Sequence, residues 1–335
     1  MSVYRAPRLD LTKTRCFDVA GRHNLVRIDN LLRPAEILAP DYVPTPAAAA
    51  LGRDRALREL ARAIHVARSA SRPVLLFFGA HVIKRGLSPL VIALLEEGHV
   101  TAVASNGAGS IHDFELACLG GTSEHVPSAI EDGSFGMWEQ TGRGMWDALR
   151  AGSARGLGYG ESLAAWVEAH PQNFPHVSDC VFAAASRLGC PATYHVTVGT
   201  DIIHQHPTAD FALLGETSGR DFAIFCHVVS ELSGGVFINA GSAVTGPEVF
   251  LKALSIARNQ GHGVHPITTA NLDLRPLARP TEERLSDSEP DYYYRPLKNI
   301  LQRPTSLGGR GLRITGDHRD SFVALYRLLH TKEAD

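Results

Sequence analysis

The sequence predicts an α/β fold, a doubly wound and mainly parallel sheet with helices on both faces, and three observations carry that expectation. Residues 73–78 (PVLLFF) form a continuous apolar run ending in Gly79-Ala80, and unbroken rather than alternating apolarity marks a strand buried on both faces. Such runs recur after helical stretches, which is the rhythm of βαβ units. Several of them end in small-residue turns, where ligands of wound sheets collect.

The elements follow in order. Residues 1–50 read as an N-terminal arm and loop, because Pro40, Pro44 and Pro46 interrupt any long element. Residues 51–335 read as a single domain with irregular insertions at 120–175 and 274–311. Residues 47–70 repeat apolar positions at helical spacing, with arginines on the other face. After the 73–78 strand comes a helix at 88–97, with Ser88 as its cap and Pro89 in first position. A strand at 100–104 leads through the turn Asn106–Ser110 into a helix at 111–119. Further helices are expected at 177–188, 222–232, 247–258 and 318–330. The matching strands are expected at 192–198, 235–239, 264–270 and 312–315. The stretch 120–160 is glycine-rich, with Trp138 and Trp146, and reads as a helical excursion.

Composition narrows the function classes. The chain has 335 residues, 44% of them apolar and 20% charged, enough for a sizeable core. Lys and Arg number 33 against 35 Asp and Glu, so neither a nucleic-acid partner nor a polybasic membrane anchor is expected. Five cysteines without a C-x-x-C pair argue against a disulfide framework or a thiolate zinc site and favour a cytoplasmic setting. No run reaches about 18 uninterrupted apolar residues, so no membrane span is expected.

Ligand chemistry concentrates at the expected strand ends. Asn106-Gly107-Ala108-Gly109 lies between a strand and a helix, where backbone N–H groups and a helix start attract a phosphate. The full G-x-G-x-x-G fingerprint fails at His112. A second turn of the same character, Asn239-Ala240-Gly241-Ser242, closes another strand, and the pair suggests a nucleotide-sized anion across the sheet crest. Asp201 follows a buried strand, as a carboxylate facing a ribose or a substrate amine would. His112 and His204 are candidate proton carriers. His195, His204 and His206 together are a candidate metal group for a hydrolase or transferase, and a non-catalytic nucleotide-binding protein is a third reading. Lys298, close to Tyr292, Tyr293 and Tyr294, is a candidate imine-forming nucleophile.

Taken in order, GAHVIKRG at 79–86, NGAGSIHDFELACL at 106–119, ATYHVTVGTDIIHQH at 192–206, the 234–258 block and Gly316-Asp317 resemble the elements of deoxyhypusine synthase. The likeness runs from about Pro73 to the C-terminus as aligned blocks. It implies a Rossmann-like NAD-binding domain, a homotetramer, and an enzyme that oxidises an amine with NAD and passes an aminoalkyl group through a lysine imine. Carried across residue by residue, the family's glycine turn falls on Gly107, Ala108 and Gly109. Its dinucleotide-contacting Asp falls on Asp201, its second glycine turn on Asn239–Gly241, and its Ala-Asp pair on Gly316-Asp317. The Ser-Asn of its earlier loop becomes Ala80-His81, which places His81 beside the cofactor. Its imine lysine, eight residues after the Pro of a Pro-Asp pair, becomes Lys298 after Pro290-Asp291. Arg295-Pro296-Leu297 replaces the Ser-Trp-Gly that precedes that lysine, and Ile111 and His112 replace a pair of acidic residues. Those replacements remove carboxylate and aromatic groups suited to a polyamine cation, so the resemblance implies a small-molecule amine substrate without fixing spermidine as that amine.

Overall fold

The computed structural model describes residues 8–276, 286 and 288–331. Six strands build one sheet: β1 (Val74–Phe78), β2 (Ala102–Asn106), β3 (Ala192–His195), β4 (Val236–Ala240), β5 (Thr268–Asp273) and β6 (Arg310–Thr315). Every neighbouring pair is parallel, and the spatial order is β3-β2-β1-β4-β5-β6. The chain winds outward from β1 in one direction, then returns to lay β4 against its other side. The order reverses between β1 and β4, the position at the carboxyl ends of the strands where open wound sheets bind ligands. The doubly wound α/β fold is thus present.

Burial on both faces explains the apolar runs. All five residues of β1 are buried. Val74, Leu76 and Phe78 face a layer containing α1 (Arg55–Ser69), α2 (Ser88–Glu96) and α9 (His318–His330). Leu75 and Phe77 face the opposite layer, with α7 (Phe211–Ser230) and α8 (Thr245–Asn259). A third cluster lies beyond β3. There α4 (Glu139–Ser153) and α5 (Tyr159–Ala169) bury Trp146 and Tyr159 against Tyr194. The arm is tied to this excursion, since Val26–Arg27 pairs antiparallel with Gly121–Thr122 and Phe17 bridges Trp138. No helix among the described residues is long and apolar enough to cross a membrane.

Several element boundaries differ from the sequence expectation, each for a local reason. The helix expected over 47–70 is two, Pro46–Leu51 and α1, because the Asp54 side chain caps a fresh start at the Leu57 N–H. Ser88 lies inside the first turn of α2, with Leu87 at the cap position. The expected turn over 106–110 is no turn, as β2 runs straight into α3 (Gly107–Leu119) and Asn106 caps it. Helix α7 starts at Phe211, eleven residues before the expected 222, because Asp210 accepts the Ala212 and Leu213 N–H groups. Gly215 and Gly219 hide that start from a reading by periodicity. The stretch 177–188 splits at Cys180 into a short 3-10 turn and α6 (Val181–Arg187). Within the irregular 274–311 segment, Leu297–Gln302 forms a wide helical turn against β5, β6 and α8. Residues 277–285 and 287 lie outside the described residues.

Candidate functional site

Two groups of side chains gather at the carboxyl ends of the strands. The first surrounds a cavity of about 220 Å³ beside the start of α3, walled by α3 itself, the arm, the 123–135 stretch and the 200–202 loop. Asp201 sits at its edge, 8% exposed, and accepts the Ala108 N–H. A Cβ on Gly107 would lie 2.1 Å from its Oδ2, so a glycine is needed for the carboxylate to close on the helix start. Burial raises the Asp201 carboxyl to about 6, and the helix N–H pulls the other way. The anion at this helix terminus is therefore the protein's own.

His204 is locked beside it. Its Nδ1 accepts the N–H groups of Gly199 and Asp201, both at 3.1 Å. The proton must then sit on Nε2, which lies 3.9 Å from Asp201 Oδ2 and has no hydrogen-bond partner among the described residues. Burial holds this imidazole below its usual range, so it is neutral at pH 7.

The opposite wall is a buried polar network. Arg22, from the arm, donates to Glu115 at 2.7 Å, with both side chains about 98–99% shielded. Thr141 and Thr122 donate to the same carboxylate at 2.8 and 2.5 Å. Thr122 has one hydroxyl proton and spends it on Glu115. His112, 2.7 Å away through Nδ1, must therefore be the donor to Thr122, which leaves its Nε2 as an acceptor. Burial lowers His112 to about 4 despite the nearby Glu115. Glu124 accepts from the Gly136 N–H and Trp138 Nε1, while its second oxygen is buried without a partner. Lys84 also borders the cavity. Sequence reasoning had selected Asp201, Ala108 and His112 but missed Glu115, Glu124, Lys84 and Arg22. Glu115 was legible, lying three residues beyond His112 on one helix face. Arg22 comes from an arm without a motif.

The second group lies at the β1–β4 switch. Gly79 donates its N–H to Ala240, and a Cβ on Gly79 would lie 2.2 Å from the Gly241 carbonyl. Gly241 has φ +69°, a left-handed conformation that favours glycine. His318 and His81 stand above it with ring centroids 5.8 Å apart, and burial is the main cause lowering both imidazoles. Asp317 caps α9 through the Arg319 N–H and pairs with Arg85 at 3.0 Å. Burial pushes the Asp317 carboxyl up, but these two contacts hold it below its usual range. Arg85 Nε and His318 Nδ1 are buried without partners among the described residues. Gly316 packs against Leu51 and joins the crest only through its N–H to Asp273.

Three sequence-selected residues have structural employment. Asn106 caps α3 through the Gly109 N–H. Asn239 is fully buried and donates to Ser242 and Asn271. Ser242 accepts the Gly246 N–H. The three candidate metal-binding histidines do not converge. His195 is a core residue stacked on Phe77 and edge-on to Phe225, lowered by burial to about 3. His206 is turned to Glu139 and Thr208. Among the described residues they form no shared set of donor atoms, which removes the metal-dependent reading built on them. Lys298 is also apart from the cavity, its Nζ 5.0 and 5.6 Å from the ring centres of Tyr292 and Tyr293. A larger hollow of about 320 Å³ opens at the start of β3, away from the crest, and Glu161 is the one acidic side chain among its walls.

No protein-family model and no curated protein matches the chain. Solved structures do. A conserved protein of LOR/SDH type from Methanococcus maripaludis S2 superposes with a TM-score of 0.50 at 13% identity, covering 89% of this chain and 73% of that one. ArgZ, an arginine dihydrolase of the ornithine–ammonia cycle in cyanobacteria, gives 0.49 at 14% identity over 82% of this chain and 32% of its own. AgrE in complex with ornithine and NAD+ gives 0.47 at 12% identity over 87% of this chain and 34% of its own. The chain thus spans about a third of the length of the last two, and none of the three is a deoxyhypusine synthase. At 13% identity the likeness to the LOR/SDH-type protein shows a shared fold alone.

Proposed function

We propose that the chain is an NAD-dependent enzyme that oxidises the amine-bearing carbon of a small cationic substrate. The observation that carries this reading is the cavity at the crest of a doubly wound sheet, where Asp201 and the unpartnered oxygen of Glu124 meet His112, Glu115 being already paired with Arg22. Carboxylates in a desolvated hollow favour an ammonium group.

The dinucleotide was tested against the β1–β4 switch, and the residues there fit. Arg85 Nε and His318 Nδ1 are buried polar atoms still lacking partners among the described residues, while Gly79 and Gly241 are glycines because protein atoms pack closely on them. Arg85, His81 and His318 would hold the phosphates, with Asn239–Ser242 and Gly316-Asp317 completing the crest, whereas Asp201 already fills the helix start at Gly107–Gly109 and faces the substrate cavity. When bound, the nicotinamide supplies the acceptor for a hydride leaving the substrate carbon. Asp201, held near pH 6, is matched to take the proton that the substrate nitrogen loses. His204 Nε2–H, 3.9 Å from Asp201 and without a partner among the described residues, is a donor left for the substrate. The Arg22–Glu115 network fixes the His112 tautomer and presents its Nε2 as a second proton acceptor. The LOR/SDH-type neighbour and the ornithine and NAD+ named with AgrE accord with an amine-handling reading, but the argument stands on the cavity. Transfer through an imine on Lys298 is the part of the family resemblance that the cavity does not support. A cytoplasmic homotetramer belongs to the same proposal and is checked by sedimentation.

The test is titration of the intact protein with NAD, followed by an amine panel monitored for NADH. Dinucleotide binding with amine-dependent reduction is expected. Asp201→Asn should keep NAD affinity and lose about 10²- to 10⁴-fold in turnover. Absence of NAD binding in the intact protein would refute the proposal.

A further inference from the structure

At the opposite end of the sheet, where the strands begin, Glu97, His99 and His330 converge. Glu97 and His99 lie between α2 and β2, and His330 is the last residue of α9. One donor atom from each lies within 4.8 Å of the others. His330 Nε2 is 3.4 Å from Glu97 Oε1, and His99 Nε2 is 3.7 Å from Glu97 Oε2. Ligands about 2.0–2.1 Å from a tetrahedral ion stand roughly 3.4 Å apart, so these separations are those of a coordination edge.

Hydrogen bonding makes the arrangement more than a surface ion pair. His330 Nδ1 lies 2.8 Å from the Tyr326 carbonyl, so it carries the proton and leaves Nε2 as an acceptor. That acceptor faces Glu97 Oε1, itself an acceptor that already receives the Tyr326 hydroxyl at 2.6 Å. Two acceptors in this position call for a cation between them. Tyr326 is buried and orients both groups, the outer-shell arrangement that metal-binding histidines and carboxylates show. A third imidazole, His65 in the last part of α1, lies edge-on to His99 at 5.6 Å.

We infer that Glu97, His99 and His330 bind a divalent transition-metal ion, with zinc the ion their imidazole–carboxylate set suits, and so pin the end of α9 to the edge of the sheet. The other donor cluster among the described residues, Cys16, Glu139 and His206, is the weaker candidate. There Glu139 is already neutralised by Arg143 and His206 already has its carboxylate partner. The inference makes no use of the crest, so it stands or falls apart from the NAD reading.

The experiment strips the full chain with a chelator and titrates it with zinc against a chromophoric competitor, with bound metal counted by elemental analysis. One equivalent should bind. His99→Gln combined with His330→Gln should weaken binding at least 100-fold, and Tyr326→Phe by about 10- to 100-fold. All three side chains can be changed without opening the sheet, and a thermal melt of each variant checks folding. Cobalt loading distinguishes the two clusters, because only the Cys16 group gives a thiolate charge-transfer band. The inference fails if wild-type protein binds no zinc, in which case a proton alone bridges the pair. It also fails if the double variant keeps its equivalent, or if Cys16→Ser abolishes it.

Discussion

Two turns of nearly the same composition, Asn106-Gly107-Ala108-Gly109 and Asn239-Ala240-Gly241-Ser242, end the two strands that flank β1, yet the fold uses them in opposite ways. In the first, Asn106 is the last strand residue and the helix starts at once, so its side chain becomes a cap and a helix terminus opens onto the cavity. In the second, Asn239 is the penultimate strand residue and α8 starts only at Thr245. The intervening loop folds back over the strand end, and Asn239 becomes a buried clasp between Ser242 and Asn271. Displacement by one residue along the strand therefore separates an asparagine that caps a helix from one that clasps two strand ends in the interior.

Three changes break or sharpen this contrast. Asn239→Ala strands the Ser242 carbonyl and Asn271 Oδ1 in the interior and should destabilise the protein by about 3 kcal/mol in urea denaturation. A loss below about 0.5 kcal/mol would show that Asn239 is no clasp. Asp201→Asn comes next, and its effect depends on pH. The folded carboxyl is raised from 3.8 to about 6, so stability attached to it is full below about pH 4 and is lost as pH rises through 6. Relative to wild type, the variant should therefore gain about 2 kcal/mol between pH 4 and pH 8, read as a difference in denaturation midpoints. A pH-independent difference would contradict the burial of that charge. Asn106→Ala removes only a cap and should cost about 1 kcal/mol. If it costs as much as Asn239→Ala, the two turns are not distinct in kind.

A shifted carboxylate is not itself a mark of function, and the same region supplies the contrast. Burial raises Asp113 and Asp221 to about 7. Asp113 nevertheless spends both oxygens on the Val181 and Phe182 N–H groups at the start of α6. Asp221 accepts from Tyr194 and Gly160, joining β3 to α5. Asp201 differs because its carboxylate borders a cavity and faces an unpartnered imidazole N–H.

Much of the fold was legible because burial on both faces of a parallel strand writes itself as an apolar run, as in β1 and β4. The early start of α7 was not, since Gly215 and Gly219 interrupt the helical pattern, although both lie on the exposed side of that helix. The site was legible in part. Asp201 and His112 were marked by their position after strands, whereas Lys298 was chosen by spacing to a family motif and packs on tyrosines away from the cavity.

The sequence by itself determined the layers of this protein and the crest of the sheet where the candidate site lies, because hydrophobic periodicity and strand-to-helix alternation are local properties. Only the tertiary structure decided which polar residues face one another. Arg22 reaches Glu115 across 93 positions, and His99 reaches His330 from the far end of the chain. Pairings of that range are set by how helices pack on the sheet, and no local pattern in the chain records them.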